Sequence, residues 1–125
     1  MMNVPDASYR FSADQRIKLR NEFQRVLRHG SVAADGTLVV FAVAQEKEVW
    51  APRLGITIPK KTGNAVVRNR WKRHIRECFR LQQDSLPRGF DFIVRPKKGA
   101  TLNHEDIDRS VARLFLKAAK RAGKP

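Results

Sequence analysis

The chain has 125 residues, 42% of them hydrophobic, with 26 lysines and arginines against 12 aspartates and glutamates, a formal charge of +14 and a pI near 11.1. The apolar share is enough for a core, which excludes a disordered basic tail, and the charge points to polyanions as partners. A lone cysteine, Cys78, excludes an internal disulfide. The longest wholly apolar run, residues 38–44, is too short to cross a bilayer, and no signal-like apolar stretch occurs near residue 1, so a cytoplasmic location is expected.

About residues 1–15 show no sustained period and are expected to form an irregular arm. Asn21 is then expected to cap a helix of about ten residues in which Phe23, Val26 and Leu27 form an i, i+3, i+4 stripe, with His29 and Gly30 as its stop. Residues 37–44 (TLVVFAVA) and 53–58 (RLGITI) read as strands, with residues 46–48 as a polar connection and a hairpin joining the two. Both faces of the first strand are apolar, Val39, Phe41 and Val43 on one and Leu38, Val40, Ala42 and Ala44 on the other. A sheet with two apolar faces is expected to be covered twice; three helices can cover one face well, with the other left partly open as a groove.

Gly63 and Asn64 break the strand pattern and Asn64 offers an N-cap, so a helix is predicted over residues 65–82, followed by a strand over 90–95 (FDFIVR). Strand, helix, strand in that order implies that the strands flanking the helix run parallel. Asn103 is expected to cap a last helix carrying Ile107, Val111, Leu114, Phe115 and Ala118 at helical spacing, with Gly123 as its end. These elements make one α+β domain spanning residues 1–125 with a mixed sheet.

The segment KKTGNAVVRNRWKRHIRECFR, residues 60–80, holds eight lysines or arginines and one acid, Glu77. At 100° per residue, Val67, Trp71, Ile75, Cys78 and Phe79 gather on one side of the helix and Arg68, Lys72, Arg73, Arg76 and Arg80 on the other. A merely solvated face would interleave acids as i,i+4 partners, and almost none is present, so the basic face reads as a phosphate-binding surface.

No self-sufficient active site is legible. GITIPKKT, residues 55–62, approaches a phosphate-binding loop, but Lys60 replaces the second glycine and Pro59 removes an N–H. His29, His74 and His104 are scattered; His74 and Cys78 lie one helical turn apart, and two ligands make no zinc site, so no metal ligands are assigned. Asp84, Asp91, Asp106 and Asp108 show no pairing suited to acid–base or metal chemistry, and no catalytic residue is assigned. Phe23 and Phe41 are candidates to stack on unpaired bases, with core packing as the competing role of Phe41.

KKTGNAVVRNRWKR followed by HIRECFR resembles the signature of the bacterial ribonuclease P protein family, whose hallmark Arg-Asn-Arg is carried here by Arg68, Asn69 and Arg70. FQRVLRHG, residues 23–30, RLGITI and DFIVRPK agree in order and spacing, and the likeness spans about residues 17–118. The resemblance implies an α/β sandwich akin to the second domain of ribosomal protein S5, with a four-stranded mixed sheet, three helices and a left-handed crossover. It also implies that a large RNA subunit performs catalysis with Mg²⁺, held mainly by that RNA, while the protein binds the catalytic RNA and the 5′ leader of precursor tRNA. By the same resemblance, Lys60, Lys61, Arg68, Asn69, Arg70, Lys72, Arg73 and Arg76 face RNA, and Phe23, Val39 and Phe41 line the leader cleft. Leu27 stands where many members carry an aromatic residue, and Trp71 where they carry an aliphatic one. No DNA or membrane partner is expected. The rival reading is a structural RNA-binding protein, such as a ribosomal protein or RNA chaperone.

Overall fold

The computed structural model describes residues 15–46 and 51–123. The expected irregular arm, Gln15 apart, and residues 47 and 48 of the polar connection lie outside the described residues. In chain order the elements are α1 (Arg20–His29), β1 (Ser31–Ala34), β2 (Leu38–Ala44), β3 (Arg53–Ile56), α2 (Ala65–Gln82), β4 (Phe90–Pro96) and α3 (His104–Ala122).

The four strands form one mixed sheet in the order β1-β2-β4-β3. β2 is antiparallel to both β1 and β4, while β3 and β4 run parallel across α2, as the strand, helix, strand pattern required. The expected hairpin between β2 and β3 does not form, because β4 inserts between them and takes a partner on each side. β2 pairs instead with β1, a strand absent from the sequence reading. Its turn is fixed by Asp35, whose Oδ1 accepts from the backbone N–H groups of Thr37 and Leu38 at 2.8 and 3.0 Å.

The two sheet faces are covered unequally. Leu38, Val40, Ala42, Leu54, Phe92 and Val94 pack against Trp71, Ile75 and Phe79 of α2 and Ile107, Val111, Leu114 and Phe115 of α3, giving the main core. On the other face α1 alone contributes a smaller cluster, in which Val26, Ile17 and Ile93 are buried and Phe23, Phe41 and Val43 partly so. The helices therefore divide two against one, rather than sharing one face as expected. A single helix cannot span the apolar face of β2 and β4; at the end away from α1 Val39 is buried, while Arg95 opposite it is exposed.

Asn64 and Asn103 cap α2 and α3 as predicted, accepting from the N–H groups of Val67 and Asp106 at 3.0 Å each. Asn21 does not cap α1. It lies inside the first turn, where its Oδ1 accepts from Glu22 N–H, and Leu19 holds the cap position without a side-chain bond. Gly30, where α1 turns into β1, has no room for a side chain, since a Cβ there would sit 2.8 Å from the carbonyl oxygen of Ala42.

Candidate nucleic-acid interface

α2 presents its charge because its apolar side is fixed. Trp71, Ile75, Cys78 and Phe79 are each no more than 2% exposed, which turns Asn69, Arg70, Arg73 and Arg76 outward, with Lys72 half-buried at the edge. None of Arg68, Arg70, Lys72, Arg73 and Arg76 has an ion-pair partner among the described residues, whereas Arg80 is bound by Glu77 one turn earlier. Arg68 departs from the expected exposed face: it is half-buried, and its Nε is shielded from solvent without a partner. Trp71 is a packing residue.

Two grooves run along this helix. One, of about 410 Å³, is bounded by Asn69, Lys72, Arg73, Arg76, Glu77 and Arg80 on α2 and by Arg16 on the segment entering α1. The second, of about 220 Å³, shares Arg16, Lys72 and Arg76 and continues past Lys18 to the ring of Phe23 over Gly55 and Ile56. Gly55 is what lets the Phe23 ring approach β3 so closely, because a Cβ there would meet the ring at 2.7 Å. The entering segment is fastened to the β3 edge by Ile17 N–H donating to Leu54 O at 3.0 Å and by the buried Gln15 amide donating to Pro52 O and Gln83 Oε1. Arg16 and Lys18 were missed in the sequence because only this docking carries them to α2.

A third groove, of about 610 Å³, lies on the open end of the outer sheet face. Val39 lines it, with Lys61 from the 3-10 turn Lys60–Thr62 on one side and Arg95, Lys97 and Lys98 on the other. Lys60 beside them is exposed. Phe41 is half-buried: it packs on the Ile17, Val26 and Ile93 cluster, and the Arg95 guanidinium lies over its ring, 5.4 Å from the centroid. Of the two roles weighed for Phe41 in the sequence, the structure shows the packing one. Arg95, Lys97 and Lys98 were not singled out in the sequence, although an arginine in the otherwise apolar run FDFIVRP was a signal.

The opposite end of that face is closed by charge pairing. Arg53 donates to both oxygens of the buried Asp91, at 2.9 and 3.1 Å, and to Glu22 of α1 at 2.9 Å. Burial alone would lower the Arg53 pKa, but Asp91 and Glu22 outweigh it and raise it. Behind α2, the scattered histidines are partly gathered: the rings of His74 and His104 meet edge to face at 4.1 Å. Burial and repulsion from His104, Arg70 and Arg73 depress the His74 pKa against a weaker pull from Asp108. The Cys78 thiol donates to Asp108 Oδ1 at 2.5 Å. Burial first, then that bond, hold its pKa far above the ordinary thiol range. No three histidine, cysteine or carboxylate side chains are grouped to hold a metal among the described residues.

The architecture and its charge define the class as a small basic α+β protein with grooves complementary to a polyanion. A family model described as Ribonuclease P matches residues 11–119, and the chain belongs to that family. It is 33% identical over 113 residues to a ribonuclease P protein component from Geobacillus kaustophilus, covering 88% of this chain and 93% of the relative. With the Brevibacillus brevis ribonuclease P protein component it shares 38% over 104 residues, 82% of each chain. Among solved structures, a Staphylococcus aureus RNase P protein mutant with defective mRNA degradation activity superposes with a TM-score of 0.74 at 37% identity, covering 86% of this chain and 89% of that one. The RNase P protein from Thermotoga maritima superposes at 0.62 with 30% identity, covering 82% and 86%.

Proposed function

We propose that the chain acts as the protein component of ribonuclease P in the cytoplasm, binding the catalytic RNA along α2 and the 5′ leader of precursor tRNA on the open sheet face. The observation that supports this division is the run of cations Arg70, Lys72, Arg73 and Arg76, which have no carboxylate partner among the described residues and are joined through Arg16 to the groove at Phe23, while the groove on the open sheet face carries Arg95, Lys97 and Lys98. Lys60, Lys61, Arg68 and Asn69 belong to the same RNA-facing set, and Phe23, Val39 and Phe41 to the leader cleft. A purely structural RNA-binding role is disfavoured by family membership.

Hydrolysis of a phosphodiester requires metal ions placed about the attacking and leaving oxygens. Among the described residues no three histidine, cysteine or carboxylate side chains are grouped to hold a metal; the carboxylates of Glu22, Asp35, Glu46, Glu77, Asp91 and Asp106 pair with arginines and Asp108 accepts the Cys78 thiol, so the described residues do not fit a Mg²⁺ site. RNA phosphates hold Mg²⁺ as carboxylates do, and the reading places the metal and the catalysis there. The protein's contribution is affinity: its cations release counterions from phosphate and its aromatic rings offer stacking surfaces.

Binding of precursor tRNA to the assembled particle is expected to tighten with the first few leader nucleotides, and Phe41→Ala to remove about 1 to 3 kcal/mol of that gain. Equal loss for leaderless tRNA would make Phe41 a packing residue only. The isolated chain is expected to cleave nothing at any Mg²⁺ concentration, and the catalytic RNA to restore cleavage, with protein stimulation largest at low Mg²⁺. Site-specific cleavage by an RNA-free preparation would overturn the assignment.

A further inference from the structure

β4 is buried along its length except at Arg95, the one exposed residue in its run. Arg95 pairs across the sheet with Val39, and Ile93 with Phe41, so Arg95 and Phe41 are diagonal neighbours on the open face. The guanidinium lies over the ring and has no carboxylate partner among the described residues. A cation–π contact does not take up the guanidinium's N–H donors in hydrogen bonds, and these form a planar fork that fits two acceptors side by side. Lys61, Lys97 and Lys98 on the same groove walls can take the phosphates, which frees Arg95 for a base edge.

We propose that Arg95, held over Phe41, reads one nucleotide of the bound single strand and prefers guanine to adenine there. Guanine presents O6 and N7 as adjacent acceptors to the fork, whereas adenine places its N6 amino donor against an arginine donor. The proposal rests on the leader-binding reading above and adds a base preference to it.

The test uses the holoenzyme reconstituted with wild-type, Arg95→Lys or Arg95→Ile protein, and precursor tRNAs carrying guanine or adenine at each successive leader position. For wild type, one position is expected to favour guanine by on the order of tenfold in affinity. Arg95→Lys, which keeps the charge but loses the fork, and Arg95→Ile are both expected to bring that ratio close to one. The absence of any guanine preference in wild type, or its survival in both variants, would overturn the proposal while leaving leader binding intact. Weakening of all leaders alike with the ratio retained would make Arg95 a phosphate contact, which also overturns it. A leader that adds no affinity in wild type would bring down the leader-binding reading itself.

Discussion

Cys78 on α2 and Asp108 on α3 are joined by a thiol-to-carboxylate hydrogen bond of 2.5 Å, which ties the cationic helix to the helix behind it. With burial, that bond keeps the sulfur protonated well past its ordinary range. Only the thiolate is nucleophilic, so in the folded protein at pH 8 Cys78 is expected to react with an aromatic disulfide reagent at least about tenfold more slowly than in the urea-unfolded chain. Equal rates would mean that the sulfur is accessible. Asp108→Ala is expected to cost about 1 kcal/mol in urea unfolding.

Arg53 is the partner that makes the buried Asp91 tolerable. Arg53→Met leaves that carboxylate enclosed with only the long contact to Arg25 Nη1 at 4.0 Å and the Gln45 amide at 3.3 Å, and is expected to destabilise the fold by about 3 kcal/mol. Arg53→Met combined with Asp91→Asn should recover part of the loss. If the double variant is no better than the single one, the pair is not coupled.

Asp35 joins the β1–β2 turn to α3 through Ser110 and Arg113, at 2.6 and 2.7 Å. Burial by itself would raise its pKa, but hydrogen bonds from Ser110, Leu38, Thr37 and Arg113 prevail and hold it below the ordinary 3.8. A carboxylate depressed in the folded state stabilises fully above its unfolded pKa, and that contribution is lost as pH falls through the folded value. The stability advantage of wild type over Asp35→Asn should therefore be flat near neutrality and shrink below about pH 4. Urea midpoints from pH 6 to pH 2.5 measure it, and a gap that widens with acidity would contradict the assignment.

Arg70→Ala with Arg73→Ala is expected to weaken binding to the ribonuclease P RNA and to flatten the slope of log affinity against log salt by about 1 to 2, with the fold intact. Both side chains are exposed and belong to no ion pair among the described residues, so folding does not depend on them. An unchanged slope would reduce this face to a solvated surface.

Local patterns were legible where local physics decides. The period of residues 65–82 gave α2 its bounds and its two faces, and Asn64 and Asn103 announced their caps. β1 was missed because SVAA is short and made of small residues, so alternation had little to act on. The β2–β3 hairpin failed because a preference for neighbouring runs says nothing about a later strand that can pair with both. Nonlocal gathering also explains the site: the α2 cations stand together in the sequence, but Arg16, Lys18, Arg95 and Lys97 reach their grooves only through strand order and the docking of residues 15–17.

The position of β4 carries a consequence for how the chain is made. β3 finds its only strand neighbour among the described elements in β4, and β4 also forms the second side of β2. During synthesis from residue 1 onward, β1 and β2 can pair early, but the sheet cannot close until residues 90–96 have left the ribosome. Until then the apolar side of α2, with Trp71 and Phe79, lacks the Phe92 and Val94 floor it rests on, while its cations are already present. The nascent protein thus passes through an interval in which the residues of the cationic helix have been made before the platform that aims them.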